Sequence, residues 1–191
     1  ATGIDAFVHN LEAFCSPFYH PMAQGVALEG MKLVHDNLPQ ACADGSDIVA
    51  RSNMLAASIM GATAFQKGLG GVHALSHPIG AVFDTHHGLA NAIMLPYVLV
   101  RNQAAIEQRL SDAARYIGLQ DASFKGFLDW ILRLRADLNI PHSLAEIGID
   151  ESRAEEIGAA AKQDPSDGGN PVNLMPADYT AIFIAAVKGV V

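Results

Sequence analysis

Four of the eight histidines in this 191-residue chain, His73, His77, His86 and His87, fall within fifteen residues of one another. His73 and His77 are four apart, as are Asp5 and His9. On an α-helix, residues i and i+4 share a face, so the first pair presents two imidazoles together and the second an oxygen and a nitrogen donor. Imidazole and carboxylate donors suit a borderline divalent ion such as Fe2+ or Zn2+ and leave coordination room for a substrate oxygen. The pattern is not that of a zinc-protease helix, because position 74 is Ala where that motif carries Glu. His73 and His87 stand fourteen residues apart, about 21 Å along one straight helix, so they reach one ion only if the chain turns between them. Gly80, the Asp84-Thr85 pair and Gly88 punctuate the run and predict a reversal between Phe83 and Gly88. Each pair alone also fits a solvated helix face, and the cluster also fits ordinary core or surface histidines.

Helices must carry these residues, since apolar positions recur at helical spacing along nearly the whole chain. Ile4, Phe7, Val8, Leu11 and Phe14 line one face of an opening helix, Asp5, His9 and Glu12 share another, and Pro17 stops it. Pro21 opens a second helix through about Ala43, with Pro39 a kink point, and a third starts near Asp47. Ala56, Ala57, Ser58, Gly61, Ala62 and Ala64 are small, which predicts close neighbours and a central position for that third helix. Gly68, Gly70 and Gly71 break the pattern, a short helix follows over His73 to Phe83, and Pro96 predicts a kink or boundary between Gly88 and Asn102. Further helices are expected over Ala104 to Ile117, Phe124 to Leu138, Glu151 to Lys162 and Asp178 to Lys188, with residues 164–176 a loop. Nothing reads as a strand ladder or an internal repeat. The expected fold class is all-α, a multi-helix single domain over residues 1–191.

Composition narrows the partners. The net charge is −8 and the 12 Lys and Arg are scattered, so no basic stripe is available for a phosphate backbone and nucleic acid is not an expected partner. No apolar run reaches the roughly 18 to 20 residues of a membrane span, so no membrane is expected either. Cys15 and Cys42 show no disulfide or metal spacing, which suits a reducing, cytoplasmic compartment and two small core residues. The sequence starts at Ala1 without Met, carries no signal peptide and enters a helical pattern within a few residues, so it reads as a fragment whose preceding part is absent.

The segment Gly68 to Asn102, GLGGVHALSHPIGAVFDTHHGLANAIMLPYVLVRN, closely resembles the signature of the iron-containing alcohol dehydrogenases. TGIDAFVHNLEAF resembles that family's other metal-ligand segment, and ALEGMKLVHDNLPQA, ARSNMLAASIMGATAFQKGLG and NPVNLMPADYTAIFIAAVKG extend the resemblance over nearly the whole chain. It implies the family's C-terminal helical domain, an architecture shared with dehydroquinate synthase-like proteins. It implies four metal ligands, Asp5, His9, His73 and His87, holding Fe2+, with Zn2+ the other candidate. His77 falls on the family's histidine beside the substrate and nicotinamide and is the candidate catalytic proton relay. The implied reaction is reversible hydride transfer between a small alcohol or aldehyde and NAD or NADP, in a homodimer or higher homo-oligomer. Two further roles are conceivable on the residues alone: Glu12 orienting a ligand, and His86 lining a channel. The family's glycine-rich dinucleotide loop has no counterpart, because Gly68-Leu69-Gly70-Gly71 lies between helices with no strand before it. The nicotinamide cofactor would therefore bind a domain missing from this chain. Rival readings are a zinc-dependent polyol dehydrogenase-like or dehydroquinate synthase-like relative, and a non-catalytic helical domain that only holds a metal.

Overall fold

Helix caps and breakers set the element boundaries in the computed structural model, which describes residues 1–191. Helix α1 spans Thr2–Cys15 and ends ahead of Pro17. Helix α2, Pro21–Ala43, starts with proline in its first turn and is capped by His20 Nδ1, which accepts from the Ala23 N–H at 3.1 Å. Helix α3, Ile48–Ala64, is capped by the Asp47 carboxylate. After the glycine break come α4, Gly71–Phe83, and α5, His87–Ile117, followed by α6, Phe124–Asp137, α7, Ala154–Gln163, and α8, Pro176–Lys188. Short 3-10 turns join them and there is no strand. The molecule is all-α, as its periodicity predicts.

No helix boundary falls at Pro39 or at Pro96. Helix α5 runs unbroken through Pro96 for 31 residues, and α2 runs through Pro39. A proline removes one ladder bond, but Ala92 to Leu99 are buried almost without exposure. Packing on every side holds that turn against the local penalty.

Helices α1, α2 and α3 pack on one another, α5 threads between α1, α4, α6 and α8, and α7 pairs with α8 beside α4. The buried apolar side chains form one connected cluster running from Ile4 to Val187. Helix α3 is not central. Its small face, Ala50, Ala57, Gly61 and Ala64, is buried against α1 and α2, while Ile48, Val49, Leu55 and Ile59 are exposed. The stretch Ile48–Lys67 is long and apolar enough by length and composition to cross a membrane, although Arg51 and Asn53 interrupt its apolar run. Of the two cysteines, Cys15 is a core residue as expected, whereas Cys42 is exposed at the end of α2.

Glycines let the first three helices close up. A Cβ at Gly30 would stand 2.1 Å from the Asn10 side chain, and one at Gly61 2.9 Å from His9 Cβ and 3.2 Å from the Ala6 carbonyl oxygen. Asn10, fully buried, donates from Nδ2 to the carbonyls of Ala6 and Ala57 in this space, tying α1 to α3. The end of α1 is held by cations. Lys67 Nζ donates to the Ala13, Phe14 and Ser16 carbonyls at 2.7–3.0 Å, and Arg109 reaches Phe14, Cys15 and Ser16. These are the orphan acceptors of a helix C-terminus, and positive charge complements its dipole.

Candidate metal centre

The break after α4 decides the site. Asp84 adopts a left-handed conformation, φ 52°, and ends α4, so His87 begins a new helix rather than lying about one turn further along the old one. The chain thus breaks between Phe83 and Gly88, where its punctuation places the turn. His86 is exposed and is the N-cap of α5, accepting from the Leu89 N–H at 3.3 Å.

Asp5, His9 and His73 come together, with one ligand atom of each lying within 4.8 Å of the others. His87 joins through Asp5 and stands outside that mutual set. Asp5 Oδ1 lies 3.5 Å from His87 Nε2 and 3.7 Å from His73 Nε2. Four ligands at bonds of about 2.1 Å in a tetrahedron stand about 3.4 Å apart, so these separations fit a shared small cation. The rings pack closely, His9 on His73 with centroids 4.6 Å apart and His73 to His87 at 5.3 Å. His77 lies beside them, nearly parallel to His87 at 5.3 Å, but belongs to no mutual donor set.

Glu12 fixes the orientation of His73. Both are buried, and Glu12 Oε2 is 2.7 Å from His73 Nδ1, while Oε1 accepts from the Val72 N–H at 2.7 Å. A carboxylate can only accept, so Nδ1 carries the hydrogen and Nε2 is turned toward Asp5. Helix α4 has no cap of its own, because Gly70 offers no side chain. Its first amides are served instead by Glu12 from α1 and by Asn170, whose Oδ1 accepts from the Gly71 N–H at 3.0 Å. The same contacts that end the helix therefore aim the imidazole.

The electrostatics favour a cation. Burial pushes the Asp5 carboxyl up, but the facing His73, the other imidazoles and the Asn91 N–H outweigh it and hold the group down at about 2. Burial also pulls His73 down, yet the Asp5 and Glu12 carboxylates raise it to about 9. His9 and His87 are both lowered, by burial first and by neighbouring imidazoles, which keeps their lone pairs available. The donor chemistry, the spacing and the charge all fit a divalent metal.

Two polar neighbours escaped the sequence reading. Asp164 Oδ2 accepts from His77 Nδ1 at 2.8 Å across 87 residues of chain, which turns His77 Nε2 away from the loop. Nothing in local spacing signals that pair. Asn91 donates to Asp5 Oδ1 at 2.6 Å, and its position one turn beyond His87 on α5 was a signal available in the sequence.

Comparison with known proteins places the fold in a family. The C-terminal family model of the Fe-containing alcohol dehydrogenases matches residues 1–187. A 4-hydroxybutyrate dehydrogenase from Cupriavidus necator is 36% identical over 188 residues, 94% of this chain and 49% of that protein. A 1,3-propanediol dehydrogenase from Citrobacter freundii is 36% identical over 191 residues, 96% of this chain and 49% of its own length. The crystal structure of a 1,3-propanediol oxidoreductase superposes with a TM-score of 0.93 at 34% identity, covering 97% of this chain and 50% of that one. The chain thus spans about half the length of the relatives it matches. It belongs to the iron-containing alcohol dehydrogenase family and corresponds to that family's C-terminal, helical region.

Proposed function

We propose that the chain is the metal-holding half of an NAD(P)-linked alcohol dehydrogenase, with Asp5, His9, His73 and His87 as ligands to a divalent metal, Fe2+ first and Zn2+ second. The observation that carries the reading is the convergence of Asp5, His9 and His73 donor atoms from α1 and α4, with His73 Nε2 aimed by Glu12. Bound there, such an ion supplies Lewis acidity that stabilises negative charge on a substrate oxygen. The chain's own residues do the rest. Glu12 presents His73 Nε2 to the site, Asp5 keeps its carboxylate ionised, and burial shields His73 from water while Asp5 and His87 stay open to solvent.

His77 is the proton relay in this reading. It is half exposed, stacks beside His87, and is oriented by Asp164 at Nδ1, so Nε2 is free to take a proton toward solvent. The relatives' names cover 4-hydroxybutyrate, 1,3-propanediol, long-chain alcohols and, with NAD, methanol. A small-molecule alcohol or aldehyde is the substrate class that follows for the whole protein, with the dinucleotide held outside these 191 residues.

The test is direct. Metal-free chain is titrated with Fe2+ under anaerobic conditions and with Zn2+, and the stoichiometry is read by elemental analysis. One tightly bound ion per chain, lost in His73→Ala and Asp5→Ala, is the expected result. Stoichiometric binding that survives both substitutions would overturn the assignment.

A further inference from the structure

Asn91 is the one residue whose amide touches three of the four proposed ligands. Its Nδ2 lies 2.6 Å from Asp5 Oδ1, 3.0 Å from His87 Nε2 and 3.3 Å from His73 Nε2. The side chain is fully buried, and its Oδ1 has no hydrogen-bond partner. A buried carbonyl without a donor is costly, and turning the amide over is the ordinary remedy. Here that remedy is closed: the flip would set Oδ1 2.6 Å from the Asp5 carboxylate oxygen, acceptor against acceptor. Asn91 therefore keeps its donor face inward. Its two N–H groups serve the nearest acceptors, Asp5 Oδ1 and His87 Nε2, and only electropositive hydrogens face the ligand atoms.

We propose that the Asn91 amide stands in for the cation when no metal is bound. It holds the Asp5 carboxylate and the His87 lone pair together in a metal-ready arrangement, and an entering ion displaces its N–H from His87. The inference rests on the metal-centre reading above and adds a competitor to it. Asn91 is a positioning residue; it is not counted among the ligands.

Competition fixes the sign of the test. Removing a stand-in destabilises the metal-free chain and tightens metal binding, whereas removing a support of the loaded site weakens binding. Co2+ titration of the metal-free 191-residue chain, followed by its visible absorption, is compared for wild type, Asn91→Ala and Asn91→Asp, alongside metal-free melting curves. Asn91→Asp places a carboxylate against Asp5, so its metal-free melting temperature should fall and Co2+ should restore it. Co2+ affinity should rise in Asn91→Ala, which only removes the competitor, and by about tenfold or more in Asn91→Asp, which also adds a carboxylate. Weaker or unchanged Co2+ binding in Asn91→Ala would overturn the stand-in while leaving the metal centre intact. Wild type that binds no Co2+ would overturn the metal centre and the stand-in together. Should Asn91→Asp not fold without metal, Asn91→Ala carries the same comparison.

Discussion

At the scale of single residues, the site works by restricting which atom of each side chain faces inward. Glu12 is the clearest case, because its two oxygens are committed to the Val72 amide and to His73 Nδ1. In Glu12→Gln one oxygen survives for Val72, but the new NH2 group faces an N–H and drives His73 toward the tautomer with hydrogen on Nε2. Metal affinity should drop ten- to a hundredfold while the fold persists, measured by Zn2+ titration of the variant. Unchanged affinity would remove Glu12 from the site. The same ring gives the metal-free chain a pH signature. The Asp5 and Glu12 carboxylates raise His73 from its ordinary 6.5 to about 9 against the pull of burial. A raised basic group contributes stability that is complete below about 6.5 and is lost as pH climbs through about 9. Metal-free chain should therefore need less urea to unfold at pH 9 than at pH 6.5, and His73→Gln should flatten that slope. Equal slopes in both proteins would show that another group sets it.

At the scale of elements, the proposed ligands depend on how closely α1 and α3 approach. Gly61 sets that distance, since a methyl there would meet His9 Cβ at 2.9 Å and the Ala6 carbonyl at 3.2 Å. Gly61→Ala should cost about 1–3 kcal/mol by overpacking and lower metal affinity through displacement of His9. Gly25→Ala, in open space on α2, should be neutral or gain up to about 1 kcal/mol from helix propensity, so paired thermal melts separate the two causes. The elements themselves were legible where periodicity was strong: the opening helix, the glycine break at residues 68–71 and the turn between Phe83 and Gly88 all stand where apolar spacing and breakers put them. The continuity of α5 through Pro96 was not legible, because burial across Ala92 to Leu99 is a tertiary fact that local propensity cannot carry. The site divided in the same way. Pairs four apart on one helix, Asp5 with His9 and His87 with Asn91, are visible in spacing, whereas Asp164 beside His77 depends on a loop folding back across α4. The exposed apolar flank of α3 was misread because small residues mark close approach on one face only and say nothing of the other.

At the scale of the whole molecule, metal and dinucleotide should separate experimentally. Two helix starts near the site are occupied by the chain itself: Glu12 and Asn170 hold the first amides of α4, and His86 caps α5, while α1, which carries Asp5, has no side-chain cap. No glycine-rich strand-to-helix turn offers free amides to a pyrophosphate, so the isolated chain should bind no NAD(H) at micromolar concentrations, checked by titration calorimetry. The metal should bind all the same and stabilise the entire fold, because its ligands come from three helices, α1, α4 and α5, that meet only in the native state. An ion that binds the folded chain alone adds RT ln(1 + [L]/Kd), about 2.7 kcal/mol at a hundredfold excess over Kd, enough to raise the melting temperature of a protein this size by several degrees. Replacing Asp5, His9, His73 or His87 with Ala should abolish most of that rise, since each removes one donor from a set held by the packing of those helices. His77→Ala and His86→Ala should keep it: His77 is oriented toward Asp164, and His86 is spent on capping α5. A rise lost in His77→Ala but retained in His73→Ala would shift the ligand register by one helical turn along α4, and Glu12 would then be aiming a histidine that binds nothing.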